Sequence, residues 1–322
     1  MKLNSINDYL DGIKSGNIAV LSKAITLIES KKKEHQDLAS KLIEEVLPFS
    51  GNSIRVGITG VPGVGKSTFI DEFGLNLIST GKKVAVLAID PSSSLSKGSI
   101  LGDKTRMERL SLHKDAFIRP SSSGGSLGGI TYKTKETILL CEAAGFDYII
   151  VETVGVGQSE TEVNTITDFF LLLMLAGAGD ELQGIKRGIM EMADGIVITK
   201  ADGDNLSKAN IAKSEFANAL HFFPPTTSGW IPMVKTSSSF EKKGFDEVVK
   251  MIESYQLQTI SNGFFHAKRK NQDIVSFQKL LDEQIRQLFF SSEKKLDQIN
   301  ELKTKVQQGL ISPYGAVRSI FP

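Results

Sequence analysis

Apolar positions along the chain follow two regimes. Over the first 50 residues they recur at helical spacing. Ile18, Leu21, Ile25 and Ile28 lie on one face of "NIAVLSKAITLIES", and Leu38, Leu42, Ile43 and Val46 continue the pattern in "DLASKLIEEVLPF" before Pro48. The polar stretch between them, "KKKEH", reads as a solvated turn or helix face. From Ile54 onward the apolar residues instead form short runs: "IRVGIT", "VAVLAI", "YIIVE", "FFLLLML", "GIVIT" and "IPMVK". Runs that are apolar throughout, rather than alternating, suit strands buried on both faces of a parallel sheet with helical crossovers. The glycine- and serine-rich "RPSSSGGSLGG" reads as a loop. Near Phe240 the strands stop, and residues 245–260 and 274–308 read as helices. The latter carries Phe277, Leu280, Leu281, Ile285 and Leu288 on a stripe that must be buried, either on the core or across a dimer interface. The pattern predicts an α/β protein with a mostly parallel sheet flanked by helices. Its expected divisions are an N-terminal helical segment (1–50), the α/β domain that holds the strands (51–260) and a C-terminal helical arm (261–322).

Composition narrows the functional classes. The 322 residues are 40% hydrophobic and 23% charged, with a formal net charge of +1. Such a balance supports a large core and gives no overall electrostatic reason to expect nucleic acid or an anionic membrane as partner. A single cysteine, Cys141, excludes an internal disulfide and a cysteine-cluster zinc site, and it suits a reducing cytoplasm. The N-terminus resembles neither a signal nor a transit peptide. No run approaches the roughly 18 apolar residues of a membrane span, so a cytoplasmic protein is expected.

The strongest chemical signal is "GVPGVGKST", the stretch Gly60, Val61, Pro62, Gly63, Val64, Gly65, Lys66, Ser67 and Thr68, directly after "IRVGIT". It is a complete G-x-x-x-x-G-K-[ST] phosphate loop in the strand–loop–helix setting it requires. The glycines let backbone N–H groups turn toward phosphate oxygens, and the following helix adds its positive dipole end. Lys66 can reach the β- and γ-phosphates, and the Ser67 hydroxyl can ligate Mg²⁺. Such a loop needs carboxylates at nearby strand ends for metal and water. Asp90, Asp103 and Glu152 are the candidates, any one of which taken alone could instead be a cap. "ETVGVGQSE" places Gly155 three residues after Glu152, in the manner of the Asp-x-x-Gly loop that senses the γ-phosphate.

A second signal concerns the base. "GIVITKADGD" contains Thr199, Lys200 and Asp202, one residue away from the Asn-Lys-x-Asp signature of guanine readers. An ionised carboxylate only accepts hydrogen bonds, so Asp202 matches the two adjacent donors of guanine and mismatches the N1 acceptor of adenine. The Lys200 stem can lie along the base face. The Thr199 hydroxyl can supply part of the loop-holding role of Asn. Ser237 and Ser238, in "KTSSS" after the last apolar run, occupy the place of a fifth motif that contacts the guanine oxygen.

Taken in order, these elements resemble the MeaB/ArgK family of P-loop GTPases, related to the vertebrate protein of the cobalamin A type. "GITGVPGVGKST", "LAIDPSSSLSKGSILGDKTRM", "VETVGVGQSE" and "GAGDELQGIKRGIMEMAD" carry the resemblance, with "KADGDN" and "SPYGAV" adding to it. It covers nearly the whole chain. The resemblance implies a SIMIBI-type G domain that binds GTP or GDP with Mg²⁺. It implies a homodimer formed through the C-terminal arm, and a chaperone role toward adenosylcobalamin-dependent methylmalonyl-CoA mutase or a related acyl-CoA mutase. Lys66, Ser67, Asp90, Asp103 and Glu152 would form the metal and catalytic set. Residues 177–186 would be an additional switch, with Lys186 either sensing the γ-phosphate or lying at the surface. Thr199 departs from the family's Asn, and "TSSS" replaces its Ser-Ala-Leu-like fifth motif.

Other phosphate-loop readings fit less of the chain. Signal-recognition-type GTPases share "TKADGD" but carry Asp-Thr-Ala-Gly as third motif and a Met-rich domain, whereas this chain has only 7 Met. A nickel-delivery GTPase needs Cys and His ligands near its switches, which Cys141 alone does not provide. A transport-associated (LAO/AO) ATPase or kinase would need an acceptor that the sequence does not display.

Overall fold

The computed structural model describes residues 5–90, 107–122, 127–153, 159–177, 187–224 and 226–321. Three helices open the chain: α1 (Ile6–Lys14), α2 (Ile18–Glu29) and α3 (Lys33–Val46). Local chemistry starts the first two. The Ser5 hydroxyl accepts the Asp8 N–H while the Asp8 carboxylate accepts the Ser5 N–H, and the Asn17 side chain accepts from Ala19 and Val20. The alternating part follows as β1 (Ile54–Gly60), α4 (Lys66–Ser79), β2 (Val84–Asp90), α5 (Glu108–Ser111), β3 (Ala116–Ser122), α6 (Leu127–Ala143), β4 (Tyr148–Thr153), α7 (Ser159–Asn164), β5 (Phe169–Leu175), α8 (Arg187–Met192), β6 (Gly195–Thr199), α9 (Leu206–Leu220), β7 (Met233–Thr236) and α10 (Phe245–Ser261). Helices α11 (Phe264–Phe290), α12 (Glu293–Gln307) and α13 (Pro313–Ile320) close it.

The seven described strands form one sheet in the order β3-β2-β4-β1-β5-β6-β7, and every strand pairing among them is parallel. Every residue of β1, β4 and β6 is buried, which explains their unbroken apolar runs. Alternate strand residues serve opposite layers. Ala85, Leu87, Ile149, Val151 and Phe170 pack with α1–α3 and α6, whereas Val56, Ile58, Val86, Ile150, Phe169 and Leu171 pack with α4 and α10. Register brings the chemistry together: Ile58 lies beside Glu152, and Gly60 beside Leu173. The ends of β1, β4 and β5 therefore open at one edge of the sheet.

Two elements differ from the sequence expectation. β3 extends through Arg119 and Pro120 into the stretch expected to be loop. It is an edge strand, where a proline without an N–H is tolerated. The C-terminal helical region begins at Phe264, ten residues before the expected start, and breaks at Ser291 and Ser292.

The chain divides into two compact units, Met1–Gln272 and Asp273–Pro322. In the second, Phe289 stacks on Phe321 at 5.1 Å between ring centroids, and the Lys295 ammonium lies over the Phe289 ring. Its stripe of Ile274, Phe277, Leu281, Ile285 and Leu288 is exposed.

Candidate nucleotide site

Between β1 and α4 the backbone turns through conformations that glycine adopts without penalty. Gly63 and Gly65 have φ of +80° and +86°, and Gly65 caps the helix that Lys66 begins. At Gly60 the requirement is space, since a Cβ would stand 2.6 Å from the Leu173 carbonyl oxygen of β5. Val64 is buried and holds the loop down, while Pro62, Gly63 and Thr68 are exposed at its outer side.

Lys66 Nζ donates to the Gly60 carbonyl at 2.8 Å. Burial pushes its pKa down, and the carboxylates of Glu152 and Glu160 oppose that shift. Ser67 Oγ donates to Glu152 Oε1 at 3.3 Å. At the adjoining strand ends, the buried Thr153 hydroxyl donates to the Thr59 hydroxyl at 2.9 Å, tying the end of β4 to the root of the phosphate loop. Glu160, in the first turn of α7, is buried beside this group and was not singled out from the sequence. Its signal was available, as a carboxylate inside the same "ETVGVGQSE" run as Glu152.

The residues expected to read the base sit at the next strand but one. β6 ends at Thr199, whose buried Oγ1 lies 2.8 Å from the Val64 carbonyl oxygen of the phosphate loop and 3.2 Å from that of Met174 in β5. One hydroxyl hydrogen faces two acceptors, so the shorter contact to Val64 takes most of it. Lys200 follows in the left-handed region at φ +55°, a conformation that costs about 1–2 kcal/mol for a residue with a side chain. Two bonds hold it: the Asn205 side-chain amide donates to the Lys200 carbonyl at 2.6 Å, and Lys200 Nζ donates to the Gly63 carbonyl at 3.0 Å. The Asp202 carboxylate accepts from Ser238 Oγ at 2.5 Å. Ser237 is buried, and its Oγ has no hydrogen-bond partner among the described residues.

The geometry thus brings Lys66, Ser67 and Glu152 into one group beside the glycine-rich loop, and it links Thr199 and Lys200 directly to the same loop. Asp202 and Ser238 form a second group beside it. Asp90 is at the last position of β2, where its backbone pairs with Ser122, but its side chain lies outside the described residues. Asp103, Gly155 and Lys186 lie outside them altogether. Among the described residues there is no group of three or more His, Cys, Asp or Glu able to hold a metal by itself. Ser67 and Glu152 nevertheless fit Mg²⁺, a hard cation that takes few protein oxygens and completes its shell with phosphate and water.

Comparison with known proteins shows which family the chain belongs to. The family model described as methylmalonyl Co-A mutase-associated GTPase MeaB matches residues 21–294. A putative GTPase of Caulobacter vibrioides is 48% identical over 295 residues, spanning 92% of this chain and 90% of the relative. The GTPase ArgK of Escherichia coli is 44% identical over 308 residues, covering 96% and 93% of the two chains. The mitochondrial methylmalonic aciduria type A homolog of Mus musculus is 43% identical over 312 residues, covering 94% of this chain and 75% of that protein. Among solved structures, a LAO/AO transport system kinase superposes with a TM-score of 0.79 at 37% identity, covering 99% of this chain and 98% of the other.

Proposed function

The chain belongs to the MeaB family of methylmalonyl-CoA mutase-associated GTPases, and from that premise we propose that it hydrolyses GTP to GDP and phosphate with Mg²⁺ as a chaperone of an adenosylcobalamin-dependent acyl-CoA mutase, methylmalonyl-CoA mutase first. One observation carries the nucleotide reading: the lysines of the phosphate and base motifs end on the same loop, at the carbonyls of Gly60 and Gly63. A single nucleotide can therefore meet both.

In this reading Lys66 leaves the Gly60 carbonyl for phosphate oxygens, exchanging a neutral partner for a charged one. The loop N–H groups orient the β- and γ-phosphates. Water adds to the γ-phosphorus as the bond to the β–γ bridging oxygen breaks; the electron pair of that bond leaves on GDP, and a proton of the water passes to the released phosphate or to solvent. Ser67 and Glu152 would hold Mg²⁺, with Asp90 and Asp103 in the same set. When bound, the ion neutralises charge on the phosphate oxygens. Lys186 adds positive charge from the 177–186 segment in the transition state. Asp202 selects guanine through its two adjacent donors.

The mutase role is supported by the family description and by the relatives named for methylmalonic aciduria type A. A homodimer would bury the exposed stripe of Ile274, Phe277, Leu281, Ile285 and Leu288. A single, buried cysteine suits work in a reducing cytoplasm. The deciding experiment measures phosphate release and complex formation with purified methylmalonyl-CoA mutase, with GTP, GDP or no nucleotide. Nucleotide-dependent binding and a raised GTPase rate are expected. No binding in any state together with an unchanged rate would overturn the mutase assignment, and would leave the GTPase assignment standing if basal hydrolysis persists.

A further inference from the structure

The ladder between β1 and β4 ends at Ile58 and Glu152, the last backbone pair before the two chains part. β1 continues through Thr59 and Gly60 into the glycine-rich loop, while β4 ends one residue later at Thr153. At that next position the side chains take over from the backbone. The Thr153 hydroxyl donates to the Thr59 hydroxyl at 2.9 Å, and both residues are buried. The bond extends the junction of β1 and β4 by one residue past the ladder.

Side chains alternate along a strand, and the two faces of the sheet divide the work here. Ile58 and Ile150 pack on the α4 side, and Glu152 follows them to meet Ser67 of α4. Val151 packs in the opposite layer, and Thr153 follows it there. Glu152 therefore meets Ser67 on one face while its neighbour is pinned on the other. The Ser67–Glu152 contact of 3.3 Å is long for two oxygens, which prefer about 2.7–2.8 Å, so it does not fix the carboxylate by itself. We propose that Thr59 and Thr153 are positioning residues for Mg²⁺, whose hydroxyl bond sets the end of β4 so that the Glu152 carboxylate stays beside Ser67. The proposal rests on the reading that Ser67 and Glu152 hold the ion next to bound nucleotide.

Burial gives the bond its weight. A buried hydroxyl cannot exchange its partner for water, so losing the contact costs more here than at the surface. Mg²⁺ demands near-ideal octahedral geometry and punishes a carboxylate that is slightly displaced. Phosphate oxygens, held by several loop N–H groups and Lys66, tolerate the same shift. The threonine pair should therefore tune metal dependence and leave metal-free nucleotide binding to the loop.

The test measures binding of a non-hydrolysable GTP analogue to the full chain, in EDTA and across a Mg²⁺ titration. The variants are Thr59→Val, Thr153→Val, the two together, Thr153→Ser and Glu152→Gln. Each single valine variant should raise the Mg²⁺ concentration giving half of the full effect about five- to tenfold, as loss of one hydrogen bond does. Binding in EDTA should stay within about twofold of the unmodified protein. The double variant should show the same Mg²⁺ shift as either single one, since the same bond is lost in all three. Its unfolding midpoint should recover toward the unmodified value, because no hydroxyl is left unpaired. Thr153→Ser keeps the donor and should stay within about twofold throughout. An unchanged Mg²⁺ dependence in the valine variants, a shift that follows the unfolding midpoint, or an equal loss in EDTA would overturn the proposal. If Glu152→Gln shifts the Mg²⁺ dependence and the valine variants do not, the metal reading stands without the threonines. If Glu152→Gln leaves that dependence unchanged, the metal reading falls first, and the role of the threonines falls with it.

Discussion

The two ends of the same strands are built on opposite plans. At the starting ends of β1 and β5, charge is buried and saturated. Glu142 accepts from the Gly51 N–H, Ser53 Oγ and two nitrogens of Arg55. Asp168 accepts from the Arg55 N–H and from Nε and Nη2 of Arg269, while its carbonyl takes Tyr255 OH and Lys268 Nζ. At the far ends, the cations of Lys66 and Lys200 rest on neutral backbone carbonyls, and glycines hold left-handed turns. A cation on a carbonyl gains when an anion replaces it, whereas a cation in a complete ion pair does not. One end is finished by the fold, and the other is left to be finished by a ligand.

The largest test of this contrast falls on the finished end. Asp168→Ala leaves Arg269 and the Arg55 N–H without their carboxylate, and it should lower stability by about 3–5 kcal/mol in urea unfolding. GTP affinity should hold in the protein that remains folded. At the open end, Lys66→Ala should cut phosphate release about 10²–10³-fold, with little change in unfolding midpoint. A large loss of stability there would mean that Lys66 belongs to the fold as Arg269 does. Asp202→Asn should weaken GTP by about 1.5–3 kcal/mol, the worth of hydrogen bonds to a charged group, and shift preference toward xanthine nucleotides. Competition binding with GTP and XTP reads this directly. Smallest is Thr199→Val, which keeps the shape and removes the bond to Val64. A rise in the Kd for GTP equivalent to about 0.5–1.5 kcal/mol is expected. Thr199→Asn, with two amide hydrogens for the carbonyls of Val64 and Met174, should match or exceed the unmodified affinity.

Much of the open end was legible because its chemistry is local. A phosphate loop needs its glycines, lysine and serine within one short stretch, so Gly60 to Thr68 identify themselves, and Thr199, Lys200 and Asp202 do so nearly as well. β3 was less legible, because Arg119 and Pro120 interrupt the apolar run and only an edge position accommodates them. The finished end was not legible at all. Arg55, Glu142, Asp168 and Arg269 are scattered along the chain and look individually like surface charges, and only burial against one another makes them structural.

The sequence by itself determined the parallel α/β plan, the phosphate loop and the family, because each is written in contiguous residues whose spacing is fixed by covalent geometry. Tertiary structure alone decided which partners those residues have. Parallel pairing places Ile58 beside Glu152 and brings Ser67 to its carboxylate. The packing of β6 beside β5 lets a threonine reach the phosphate loop. Such contacts join residues far apart in the chain, and only the folded sheet sets the distance between them.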